Sequence, residues 1–179
     1  REKIDVVIAA FGFNESFGGG EKLEEFKERL SKYLKDLKTS AFNGKSGPRI
    51  VLISPVAMEG ASISVLESLE AYSAAMAEVA AAEGIASADV IRPTLSATTN
   101  GPTRLSDNGV HLNEAGYRLF AREVFQSVFQ ESPPDVNEAL RAVVVDMNRQ
   151  YFRRYRPLNT FYYTGDRNKD YGYLDFLPA

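Results

Sequence analysis

The 179 residues suffice for about one domain with a sizeable core, and 44% apolar against 25% charged residues is an ordinary globular composition. A net charge of −3 and a pI near 5.3 remove the electrostatic basis for nucleic-acid binding, so "YFRRYRP" (residues 151–157) reads as a solvated helix end. The absence of cysteine excludes disulfides, thiolate nucleophiles and cysteine-ligated metals, and no apolar run approaches the ~20 residues of a membrane span.

Residues 4–10, "IDVVIAA", are a β-branched apolar run closed by "FGF", which reads as a strand buried on both faces. The chain opens at Arg1, without methionine or a signal-peptide pattern, and enters this strand almost at once. A central parallel strand needs a neighbour on each side, so a companion segment is expected upstream.

"FGGGE" (residues 17–21) lacks the G-K-[ST] ending of a phosphate loop and is read as a helix entry. The helix over residues 21–38 places Leu23, Phe26, Leu30, Leu34 and Leu37 on one stripe. Its glutamates Glu21, Glu24, Glu25 and Glu28 form a solvated face and not a metal site. A turn cluster, "NGKSGP", leads to a second buried strand at 49–54, stopped by Pro55.

Residues 65–83 form an alanine-rich helix with Leu66, Leu69, Tyr72, Met76 and Val79 in register, ended by Gly84. "ADVI" (88–91) is a short third strand, and the Thr-, Ser- and Asn-rich stretch 94–108 a surface loop. Asn113 is the N-cap of a helix over 113–130 that buries Ala115, Leu119, Val124 and Val128. After "SPPD", residues 136–154 form a helix with Leu140, Val143, Val144, Met147 and Tyr151 inward. Residues 157–179 carry six aromatics without helical period, too many for a disordered linker.

Alternating strands and helices specify a parallel α/β sheet with helices on both faces. Functional groups of such sheets gather beyond the carboxyl ends of the strands. "GFNES" and the loop before His111, the only histidine, both lie there. An imidazole suits general-base work near neutrality, and an asparagine amide suits an oxyanion hole.

"GFNE" (residues 12–15) resembles the G-x-N-D block of SGNH/GDSL hydrolases, and "DNGVHLNEAGY" (107–117) resembles their D-x-x-H block. "VLISP" (51–55) is similar to the strand between those blocks, so the resemblance covers about residues 4–129. It implies a three-layer α/β/α sandwich with a parallel sheet. It also implies metal- and cofactor-free ester hydrolysis by acyl transfer, with a carbohydrate-borne acyl group as substrate. His111 would be the base, Asn14 the oxyanion asparagine with Gly12 beside it, and Asp107 or Asn108 the group that orients the imidazole.

The family's nucleophilic serine lies in a G-D-S motif after a strand that pairs beside the one matching residues 4–10. No G-D-S occurs here, so the nucleophile and the missing neighbour would share one absent segment, or a partner chain. Ser16, Ser54 and Ser64 are not in a nucleophile-elbow pattern and read as turn or cap residues. The position three before the histidine, an acid in the family, is Asn108; in the serine-protease template that swap costs about 10⁴ in turnover.

The domain organisation expected is a partial hydrolase domain over 1–131, an added helix over 132–156 and an aromatic docking tail over 157–179. The tail's "R-P-x-N" opening is similar to runs that follow this domain in large multidomain bacterial proteins. The family favours an exported or periplasmic protein. Two rivals stand beside the enzyme: a non-catalytic interaction module on the hydrolase scaffold, and a carbohydrate-binding surface built from tyrosines.

Overall fold

The computed structural model describes residues 3–100 and 104–155. The aromatic tail expected at 157–179 lies outside them. The chain divides into two units, residues 1–133 and residues 134–179, each treated by itself below.

In the first unit three strands, β1 (Val6–Ala10), β2 (Arg49–Ile53) and β3 (Ala86–Ala88), form one parallel sheet in the order β1-β2-β3. The register sets Ile8 beside Val51 and Leu52 beside Ser87. Side chains alternate along β2: Ile50 and Leu52 face one way, Val51 and Ile53 the other, and all four are buried.

The first face is covered by α2 (Leu23–Thr39) and α3 (Ile63–Glu83). The stripe expected on α2 is there, with Phe26, Leu30 and Leu34 buried and Leu23 and Leu37 partly so. On α3, Leu69, Tyr72, Met76 and Val79 are buried, and small Ala75 and Ala80 are buried between them. Gly84 ends α3 with φ 63°, in the left-handed region that favours glycine after a helix. The second face carries α5 (Glu114–Phe129), whose Phe120, Val124 and Val128 pack half-buried on Val51, Ile53, Ala88 and Val90. This is a three-layer α/β/α arrangement.

In this unit four expectations are corrected. β1 is at the sheet edge and is not buried on both faces: Val7 and Ala9 face α2 and α3, but Val6 and Ile8 are 44% and 65% exposed. The face of β2 behind α5 extends onto β1, where nothing among the described residues covers it. On α5 it is Phe120, rather than Leu119, that joins Val124 and Val128 on the sheet.

The third strand runs over 86–88 and not 88–91, because the Val90 and Ile91 N–H groups donate to Ser54 Oγ at 2.9 and 3.3 Å and start a helix. That helix, α4 (Ile91–Asn100), replaces much of the loop expected at 94–108. Its polar residues misled the pattern because they bond within it: Thr94 Oγ1 donates to the Val90 and Ile91 carbonyls, and Thr98 Oγ1 to those of Thr94 and Leu95. Pro93 falls in the first turn, where its missing N–H costs nothing.

The second unit holds α6 (Glu138–Tyr155). Leu140, Val143, Val144, Met147 and Tyr151, expected inward, are exposed. Among the described residues no helix is long and apolar enough to cross a membrane.

The link between α2 and α3 is polar as well as apolar. Glu83, with its side chain 11% exposed, accepts from Ser31 Oγ at 2.8 Å and pairs with Lys35 and Lys38 at 3.4 and 3.5 Å. The Ser31 hydrogen bond, with help from the two lysines, holds its carboxyl below the ordinary value of 4.5. A lowered folded-state value contributes stability that is complete above the unfolded carboxyl range and is lost as pH falls through the folded value. Glu83→Gln is therefore expected to lower stability in urea titrations at about pH 7, with the difference from wild type closing as pH falls through the lowered folded-state value.

Candidate active site

The carboxyl ends of β1 and β2 open onto one rim. After β1 the chain turns at Gly12 into a four-residue helix, α1 (Phe13–Ser16). Gly12 has φ +89°, and a Cβ there would meet Met76 Sδ at 2.8 Å and Pro55 Cγ at 3.1 Å. Its N–H donates to Glu15 Oε2 at 2.9 Å, so the backbone donor of Gly12 is already committed. Asn14 is left exposed on α1 and lines a surface cavity with Glu15, Lys22 and Tyr72. The fully buried Tyr72 donates its hydroxyl to Gly19 O at 2.9 Å, which fastens the glycine-rich helix entry to α3.

After β2 the chain runs through residues 54–59, and these hold two other elements. Ser54 Oγ takes the first N–H groups of α4, and Ala57 N–H donates to Thr94 Oγ1 at 2.9 Å. Glu59 reaches the histidine loop: Leu105 N–H donates to Oε1 at 2.6 Å, Ser106 Oγ donates to Oε2, and Arg104 Nε stands 3.6 Å from Oε2. The Glu59 N–H in turn donates to Gly109 O at 2.8 Å. Burial opposes ionisation of this carboxyl, but the Ser106 and Leu105 hydrogen bonds and the Arg104 charge outweigh it and hold it below the ordinary value.

The loop closes on itself before α5. Asp107 N–H donates to His111 O at 2.9 Å, and Ser106 and Leu112 form an antiparallel bridge. Asn113 caps α5 as expected, its Oδ1 accepting from Gly116 N–H at 3.0 Å. Gly116 is required by contact: a Cβ there would lie 2.1 Å from Leu105 O.

His111 is exposed at the end of this turn. Of the two residues expected beside it, Asn108 touches the ring, with Oδ1 3.1 Å and Nδ2 3.0 Å from Nδ1. Asn108 Oδ1 also accepts from the backbone N–H groups of Val110 and His111 at 3.3 and 3.0 Å. Those two fixed donors require an oxygen at that position; the ring can donate Nδ1–H to this oxygen, which leaves the lone pair on Nε2, or accept at Nδ1 from Nδ2–H. Asp107 meets this loop through its backbone, donating to His111 O and accepting at its own carbonyl from Arg104 at 3.1 Å.

The candidate serines lie elsewhere. Ser16 is buried and donates to Phe13 O, Ser54 starts α4, and Ser64 pairs with Ser62 at 3.0 Å. The cavity that Asn14 lines does not include His111. Among the described residues no group of three or more acidic or histidine side chains is placed to hold a metal ion. Sequence reasoning missed Glu59 and Ser106. Their signal was weak, because Glu59 is a lone acid four residues past a strand-ending proline, and its partners are nearly fifty positions away.

The model of the GDSL-like Lipase/Acylhydrolase family matches residues 1–119. A single-substitution variant of an acetyl xylan esterase from Geobacillus stearothermophilus superposes with a TM-score of 0.59 at 19% identity, over 74% of this chain and 63% of that one. A Parabacteroides merdae protein described as a GDSL-like lipase gives 0.59 at 19% identity over 71% and 61%. An alpha/beta hydrolase enzyme from the metagenome of Lake Arreo, Spain, gives 0.56 at 18% over 70% and 60%. The chain thus spans about three fifths of the length of these structures. No curated protein matches it.

Gly12→Ala is expected to destabilise the first unit by about 1–3 kcal/mol, from left-handed backbone strain and collision with Met76. Chemical denaturation measures it; stability equal to wild type would contradict the account of the turn.

Proposed function

Because the chain belongs to the GDSL-like lipase/acylhydrolase family, we propose that it supplies the base and an oxyanion donor of an esterase that removes acyl groups from carbohydrates. The attacking serine comes from a further segment, upstream or on a partner chain, whose strand pairs along the free edge of β1. The observation that carries the reading is the exposed imidazole of His111, whose Nδ1 faces the Asn108 amide at 3.0–3.1 Å.

The chemistry follows from those groups. His111 Nε2 takes the serine proton as the hydroxyl attacks the ester carbonyl, while Nδ1–H stays on Asn108 Oδ1. The Asn14 amide donates to the developing oxyanion. The imidazolium then gives its proton to the departing sugar alcohol, and a water repeats the sequence to free the acid. Gly12 contributes the turn that aims Asn14, since its own N–H is held by Glu15.

The free edge supports the second half of the reading. Val6 and Ile8 lie partly exposed on an apolar face beside strand backbone unpaired among the described residues, and completing the burial of either gains about 1–2 kcal/mol. A parallel strand pairs the backbone, and the helix that comes with it in a βα unit covers the face. The acetyl xylan esterase among the structural neighbours favours an acetylated sugar as substrate.

A non-catalytic module is the second reading, favoured by the amide at position 108. Asn108 orients the ring but cannot stabilise its cation as a carboxylate does. Both readings are separated by p-nitrophenyl acetate hydrolysis in the protein carrying the serine segment. His111→Ala is expected to lower kcat at least about 10²-fold and Asn14→Ala about 10²- to 10³-fold. Asn108→Asp, which restores the acid, is expected to raise kcat, by up to about 10⁴-fold. Turnover unchanged in His111→Ala sinks the enzymatic reading.

A further inference from the structure

We propose that Glu59 is a positioning residue for the His111 base, clamping the histidine loop to the segment that leaves β2. The inference rests on the catalytic reading of His111 above, and it concerns a residue that touches neither the ring nor a substrate.

Four of the eight residues before His111 bond to this one residue. The carboxylate receives Leu105 N–H, the Ser106 hydroxyl and the Arg104 guanidinium, and the Glu59 N–H holds Gly109 O. Ser106 is 2% exposed and carries the effect onward, because its Oγ also accepts from Gly109 N–H at 2.9 Å. Gly109 directly follows Asn108, so both backbone groups of the residue behind the ring's partner are fixed through Glu59. Across the turn, Asp107 N–H on His111 O ties the histidine backbone to the same frame.

Glutamate is needed here for a donor count. Three donors converge on the two oxygens, and a carboxylate accepts all of them. A glutamine of the same shape offers one oxygen and an NH₂ group, which must face either Leu105 N–H or the Ser106 hydroxyl. If Ser106 turns to accept from that NH₂, its own buried proton loses its acceptor. Either way the frame holding Asn108 loosens, and with it the preference of His111 for one tautomer.

The single histidine makes this testable without an activity assay. Long-range ¹H–¹⁵N spectra of the 179-residue chain contain one pair of imidazole nitrogens. The wild type is expected to show one locked tautomer, and Asn108→Ala the averaged signals of a free ring. Glu59→Gln and the milder Ser106→Ala are expected to move the ring nitrogens toward the Asn108→Ala values. In the protein carrying the serine segment, Glu59→Gln is expected to lower kcat about 10- to 100-fold with KM unchanged.

Ring shifts at wild-type values in folded Glu59→Gln and Ser106→Ala, with Asn108→Ala displaced, would overturn the positioning role. Loss of turnover in His111→Ala beside full kcat in Glu59→Gln would overturn it too, and leave the catalytic reading standing. Full turnover in His111→Ala removes the catalytic reading, and the ring spectra then decide the clamp on their own.

Discussion

β2 is buried on both faces, Ile50 and Leu52 toward α2 and α3, Val51 and Ile53 toward α5, and this holds the chain that leaves it in place. Slipping the strand by one residue would turn every one of these side chains to the wrong layer. The segment after it, residues 54–59, is therefore a fixed platform, and it spends its polar groups on other elements. Ser54 starts α4, Ala57 binds Thr94 within α4, and Glu59 holds the loop that carries His111. The histidine is distant in sequence from β2, yet its place is set there.

The same sheet explains why β1 is exposed and why that exposure bears on function. Its inner face shares the α2–α3 core through Val7 and Ala9, so the strand is anchored. Its outer face and free edge present Val6, Ile8 and, among the described residues, an unpaired row of backbone groups. Apolar edges of this kind are ordinarily blunted by charge, proline or cover, and β1 has none of these among its own five residues. A parallel strand paired along that edge would end on the same rim as Asn14, because parallel strands share one direction. Sheet completion and delivery of a nucleophile are in this account a single event.

Much of this was legible from residue order. The helical stripe of α2, the two long strands, Gly84 as a terminator and Asn113 as a cap all follow from local rules, and tertiary packing agreed with them. Two stretches were misread because hydrogen bonds from afar decided them. Val90 and Ile91 look like strand, but the Ser54 hydroxyl takes their N–H groups and the chain enters a helix at Ile91. Thr94 and Thr98 look like loop, but their hydroxyls bond back into α4. α6 keeps a helical apolar pattern whose side chains are exposed, and periodicity cannot tell which apolar faces are covered. At the site, the D-x-x-H spacing pointed to His111 and left two candidates for its partner. Only the turn geometry singles out Asn108, and only the tertiary structure brings in Glu59.

The measurement that bears most directly on the account is the trapping of the natural protein with an electrophilic phosphonate ester, followed by peptide mass spectrometry. The account predicts one adduct, on a serine outside these 179 residues, just after the strand that pairs with β1, formed far more slowly when His111 is replaced by alanine. An adduct on Ser16, Ser54, Ser64 or Ser106, or a trapping rate indifferent to His111, would contradict it.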